Sequence, residues 1–245
     1  MAKPPNSSLT VKPFSASTSA AFGAKAQVPA IPSDIVVLTE RADQLMKERS
    51  WNLSSEDSAG IHKLVEQSVK TLGLETETTA VFEACLSWNL LAEGKIQESL
   101  EVIKNAAAHL DRAAATSVIH ADSALVYALE GLCHFELKKY QEALAAFEKT
   151  ARVRAALKVS GEPDLINAFR AGLCQAFLNR PEDKLRTSLD AIRQAPDFQS
   201  PHRHLRLAVL ACNAGDALTT LNLPEKAMEQ YRLALKLTAS MEIVR

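Results

Sequence analysis

Histidines, cysteines and clustered basic residues are where this chain could do chemistry. His202 and His204 lie two apart in PHRHLRL, with no carboxylate close by. On a helix that spacing turns two side chains roughly 200° apart, so one metal ion cannot take both. His109 with Asp111, and His120 with Asp122, have the same fault; Asp111 and Arg112 read better as the solvated end of a helix. The four cysteines, Cys85, Cys133, Cys174 and Cys212, lie in separate apolar stretches and form no Cys-x-x-Cys pair. That excludes the usual structural zinc site. They read as small buried hydrophobes in a reducing compartment, with a disulfide between successive units as the alternative. Neither a Gly-rich phosphate loop nor a His-Glu-x-x-His or Gly-x-Ser-x-Gly motif occurs. The expectation is a non-enzyme with no catalytic residue, metal or cofactor. Arg180, Lys184, Arg186, Arg193, Arg203 and Arg206 form a modest basic region. It reads first as a solvated face and second as a site for an acidic peptide or RNA phosphates.

What could position any such group is helical. In YALEGLCHFELKKYQEALAAFEKTA, Tyr127 to Ala151, the first half places Tyr127, Leu132 and Phe135 on one stripe around Gly131. A glycine inside a helix costs about 1 kcal/mol against alanine, a cost that close approach of another helix would explain. The second half repeats Tyr140, Ala143, Phe147 and Ala151 at spacings of 3, 4 and 4, an amphipathic stripe. Lys138 and Lys139 form the short turn between them, so the helices are antiparallel neighbours. Glu136, Glu142, Glu148 and Lys149 belong to the wet side.

The full chain of 245 residues has 28 basic and 29 acidic side chains, a net charge of −1, 47% hydrophobic residues and 5% aromatic. Near-neutrality argues against broad nucleic-acid binding, and no apolar run reaches a membrane span of about 18 residues. Residues 1–33 hold five of the ten prolines and no acid, which predicts a disordered tail. An acid-free, Ser-rich start also resembles an organelle transit peptide, but it contains no arginine. The expected location is therefore cytoplasmic, with the nucleus or an organelle as alternatives. Residues 34–73 predict a helix pair, serving as a cap or a divergent repeat: Asp34 to about Glu48, then Ser54 to Leu72 with the stripe Ile61, Leu64, Val65, Val69 and Leu72, ended by Gly73.

Residues 74–245 then repeat one design about four times. Ser87 is followed by Ile96, Ser99, Ile103 and Ala106; Gly131 by Tyr140, Ala143, Phe147 and Thr150; Gly172 by Pro181, Lys184, Ser188 and Ala191; Gly215 by Pro224, Ala227, Tyr231 and Ala234. The offsets are 9, 12, 16 and 19 each time. Seven residues after each anchor stand Gly94, Lys138, Asn179 and Asn222, three of which are residue types that tolerate a left-handed helix end. A recurring pattern of this kind marks stacked repeats. Tyr127, Gly131, Tyr140, Ala143 and Phe147 resemble the tetratricopeptide repeat family, and Gly215, Ala227, Tyr231 and Ala234 match it well. Gly172, Ala191 and Pro196 match in part. Glu130 at the leucine place and Lys184 at the alanine place depart from it. The anchors, 41 to 44 residues apart, exceed the family's period of about 34, with the extra residues falling between hairpins, as in Val159 to Pro163. Longer helices are implied, as in the extended-repeat branch that includes kinesin light chains. The fold class implied is all-α, an α-α superhelix or TPR-like solenoid of antiparallel helix pairs.

The resemblance also implies a concave surface, lined by the first helices, where a partner peptide or helix binds. The facing positions include Trp88, Leu91, Leu125, Leu132, Phe135, Ile166, Phe169, Arg170, Leu173, Phe177 and Asn213. Only Arg170 and Asn213 suit the family's carboxylate clamp for chaperone tails, which argues against that ligand. A mostly apolar surface calls for a cover: a protein partner, or the chain's own N-terminal helices. A one-residue error in facing would instead make these ordinary core positions. Pro224 to Met241 carries the stripe Ala227, Tyr231, Leu235 and Leu237 with no polar capping helix after it, so self-association or docking through end helices is expected. The function expected is a scaffold or adaptor. The alternatives are a subunit of a larger complex, its solenoid ends buried by neighbours, and an RNA-binding repeat protein.

Overall fold

A computed structural model describes residues 10–11, 58–73, 76–114, 118–119, 123–195 and 202–242. The expected tail, apart from residues 10 and 11, and the expected helix from Asp34 lie outside the described residues. In chain order the elements are β1 (Thr10–Val11), α1 (Ser58–Leu72), α2 (Glu77–Ala92), α3 (Ile96–Ala114), β2 (Val118–Ile119), α4 (Ser123–Glu136), α5 (Tyr140–Ala156), α6 (Glu162–Phe177), α7 (Pro181–Gln194), α8 (Arg203–Thr220) and α9 (Pro224–Glu242). β1 and β2 form a two-residue parallel pairing; the other elements among the described residues are helices, and the fold class is the expected all-α one of TPR-like antiparallel helix pairs.

The chain divides into two compact units, Met1–Leu129 and Glu130–Arg245. In the first, Ile61 of α1 meets Val81, Phe82, Cys85, Leu86 and Leu90 of α2, with Leu64, Val65 and Leu72 packed around them. Ile61, Leu64, Val65 and Leu72 are four of the five stripe residues read for α1, all but Val69. Gly73 ends that helix at a positive φ of 89°. Hydroxyls then stitch the turn: Ser68 and Thr79 bond at 2.6 Å, Thr79 Oγ1 donates to the Gly73 carbonyl, and the Thr76 side chain caps α2 by accepting from the Thr79 N–H. Where α2 faces α3, the small anchor Ser87 bonds Ser99 at 2.9 Å.

The second unit repeats the hairpin. Ile96, Tyr140, Pro181 and Pro224, all at offset 9, are the first residues of α3, α5, α7 and α9; proline at a helix start loses no intrahelical bond. Gly94, Lys138, Asn179 and Asn222 all have positive φ, from 54° to 77°. Each closes a first helix in the left-handed conformation. At offset 12, Ser99, Ala143, Lys184 and Ala227 are all buried. The centre of the second unit is a cluster of Ala143, Leu144, Phe147, Ala171 and Cys174, bordered by Leu132, Phe135, Tyr140 and Leu178. In the first turn of α6, Asp164 accepts the Gly161 N–H and two N–H groups of Arg154, from Nε and Nη2, which fixes the entry of α6 against the end of α5.

Candidate partner-binding surface

One face of α6 presents Ile166, Arg170, Leu173 and Phe177, positions that share a helix face by their spacing of 4, 3 and 4. The first three are half-buried; Phe177 is 58% exposed. It is nonetheless held: its ring stacks on Tyr140 at 4.3 Å with an 8° angle, and Phe135 meets both rings edge-on at 5.6 and 6.0 Å. Leu132, Phe135 and Phe169 are half-buried as well. Phe135, Tyr140 and Phe177 thus form a partly open aromatic group, while Phe169 packs against the cluster of Leu165, Leu207 and Leu210. Trp88 and Leu91 on α2 and Leu125 on α4 are half-buried in the first unit.

Arg170 interrupts the apolar stripe. It makes no hydrogen bond or ion pair among the described residues. Burial lowers its pKa, and the neighbouring Arg206 lowers it further. Arg206 itself donates to Glu162 at 3.2 Å. A guanidinium without a counter-ion in an apolar setting favours an approaching carboxylate.

Two neighbours on α8 stand opposite to expectation. Asn213, expected on the facing surface, is only 5% exposed. Its Nδ2 lies 3.2 Å from where a Cβ on Gly172 would sit, so the missing side chain of Gly172 makes the space that takes the amide. Cys212, expected to be buried, is exposed, while Cys85, Cys133 and Cys174 are buried, and all four are free thiols. Tyr140, read as core, is the residue that sequence reasoning missed. Its place at the head of α5, directly after the turn that closes α4, was the available signal.

The basic region is largely neutralised. Lys184 is buried and reaches Asp216 at 3.5 Å, Arg186 pairs with Asp183, and Arg193 with Asp190. Among the described residues no group of three potential metal ligands converges, and no helix is long and apolar enough to cross a membrane. Asp111 and Arg112 are exposed near the end of α3, as expected, whereas His109 is buried with Nδ1 3.2 Å from Glu83 Oε2. A cavity of about 470 Å³ lies among α5, α6 and α7. Several alanines line it (Ala151, Ala168, Ala171, Ala191), and of its acids Asp164 is tied to Arg154 and Asp190 to Arg193.

Comparisons with known proteins agree with this geometry. The tetratricopeptide repeat family model matches residues 124–155 and 208–240. No curated protein matches the sequence. Among solved structures, the kinesin light chain TPR-like repeats of Podosopora anserina align with a TM-score of 0.62 at 16% identity, over 86% of this chain and 98% of that one. BtubC from P. vanneervenii gives 0.65 at 12%, over 85% and 81%. MamA gives 0.55 at 13%, over 84% and 93%. At such identities the likeness is one of fold. Two segments of the chain match the tetratricopeptide repeat directly, and the fold is that of TPR-like repeats.

Proposed function

We propose that the protein is a non-enzymatic scaffold that holds a partner helix or extended peptide against the α4–α6 surface of its second unit. The repeat fold supports protein–protein interaction in general. The observation that carries the specific reading is the stripe Ile166, Arg170, Leu173, Phe177: a half-open apolar face with one uncompensated cation in it. A matching partner presents apolar side chains and a single carboxylate placed to meet Arg170. Aromatic and arginine side chains of this kind dominate interface energies. Nucleic acid fits less well, because the arginines nearby are taken up by Asp183, Asp190 and Glu162.

The test is capture from lysate with the full chain and three variants, Phe177→Asp, Arg170→Glu and Arg152→Glu. Arg152 is exposed on α5 and serves as the control. Phe177→Asp and Arg170→Glu are each expected to weaken the captured partner tenfold or more, about 1.4 kcal/mol or above, with circular dichroism unchanged. A partner retained equally by all three variants overturns the assignment.

A further inference from the structure

We propose that the outer face of α9 is a self-docking surface, on which two copies of the chain pack α9 against α9 in antiparallel fashion. The face is apolar where it should be wet: Met228 is 52% exposed and Leu235 is 69% exposed. Seven residues apart, they stand two turns from each other on the same side of the helix. The expected stripe of Ala227, Tyr231, Leu235 and Leu237 is in fact split. Ala227 and Ala234 turn inward to α8, with Ala234 joining Ala208 and Ala211 in a buried cluster, and Leu235 points away.

Charge supplies the identity of the occupant. Along one flank of the apolar stripe run Glu225, Glu229, Arg232 and Lys236, all exposed. None of the four enters an ion pair among the described residues, and Arg232 donates only to the Met228 sulfur. The flank is acidic in its first half and basic in its second. A two-fold axis near residue 231 lays this flank against its own copy run backwards. Glu225 then faces Lys236 of the second copy, Glu229 faces its Arg232, and Met228 of each chain covers Leu235 of the other. A parallel pair would instead lay this flank against the opposite side of the stripe, which carries Tyr231 and Thr238 and no charge between them. The pattern is therefore self-complementary in one orientation only, as isologous interfaces require. The acidic-to-basic order also suits the helix macrodipole, so the test must separate pairing from helix stability. This surface is distinct from the α4–α6 stripe, and the two proposals stand or fall separately.

Sedimentation velocity of the full chain from micromolar to on the order of 100 µM should show a concentration-dependent dimer, since so small an apolar face belongs to the weak class of interfaces. Leu235→Glu should leave a monomer with an unchanged melting temperature. Lys236→Glu should weaken the dimer about tenfold, and the swap Glu225→Lys with Lys236→Glu should restore it, which no effect on helix stability would do. In a Cys212→Ser background, oxidising a mixture of Met228→Cys and Leu235→Cys chains should cross-link the two different variants and neither one to itself. A monomer throughout the range, a dimer indifferent to Leu235→Glu, or cross-links between like variants would each overturn the proposal. Capture of the α9 face by residues 1–57 of the same chain would appear as a monomer, and so counts against it.

Discussion

Replacing Phe147 with alanine is expected to remove about 3–5 kcal/mol of stability, and replacing Gly131 with alanine about 2 kcal/mol by overpacking. Phe147 is fully buried, inside the cluster formed by Ala143, Leu144, Ala171 and Cys174. A Cβ placed on Gly131 would lie 2.6 Å from Phe147 Cε1 and 2.7 Å from its Cδ1. The ring cannot swing clear, because its surroundings are filled. An alanine in a helix otherwise gains about 1 kcal/mol over glycine, so a net loss can only come from that overlap. The two substitutions must therefore couple. In a Phe147→Ala background, Gly131→Ala should turn from harmful to stabilising, a coupling of about 2–3 kcal/mol. Gly215 and Tyr231 provide an internal comparison. The Cβ there would lie 2.5 Å from Tyr231 Cε1, yet Tyr231 is half-exposed and is tethered mainly by its hydroxyl donating to Asp216 at 2.9 Å. It can rotate toward solvent at the cost of that bond, so Gly215→Ala should cost about 1 kcal/mol. Urea unfolding at constant m-value measures all of these. A loss under 1 kcal/mol for Phe147→Ala, or a neutral Gly131→Ala, would sink this account of the hairpin.

The repeat was legible because its constraints are local and recur. A residue at offset 9 must start a helix, one at offset 7 must end one, and one at offset 12 must be buried; these needs hold whatever residue type is present. Lys138 shows this well. Lysine does not favour a left-handed helix end as glycine and asparagine do, yet φ here is 58°, at the same offset as Gly94, Asn179 and Asn222. Lys184 follows the same rule, buried at an alanine position with Asp216 to receive its charge. What could not be read were choices made by neighbours distant in sequence. Cys212 and Asn213 exchange the faces their polarity suggests, because the space for the amide is set by Gly172 on another helix. Leu235 reads as core by composition, but Ala227 and Ala234 already fill the contact with α8. The site followed the same division. The α6 stripe was visible as spacing, whereas Tyr140 joined it only through the folded turn that brings it onto Phe177.

Glu83 is expected to reverse the usual pH dependence of a carboxylate. It lies on α2, 5% exposed, opposite the buried His109 of α3, and burial raises its pKa from 4.5 to about 7. Between those two values the folded chain keeps a proton that the unfolded chain releases. Stability from this group is therefore fully present below about pH 4.5, declines as pH rises through the window, and is gone above about pH 7. An ordinary ion-paired carboxylate runs the other way. One pH unit in the window is worth at most about 1.4 kcal/mol. The hydrogen bond between His109 Nδ1 and the carboxyl, at 3.2 Å, moderates the effect. A total loss of about 1–3 kcal/mol from pH 5 to pH 8 is expected. Glu83→Gln keeps the shape and a hydrogen-bonding amide but removes the charge. Its melting temperature should change less over this range than that of the wild type, and at pH 8 it should be the more stable protein. Parallel melting curves for the two proteins from pH 5 to pH 8 would show that Glu83 is ionised in the fold at neutral pH. The α2–α3 interface would then hold a buried carboxylate with the His109 ring as its hydrogen-bond partner, and removing that partner should destabilise the fold by about 1–3 kcal/mol.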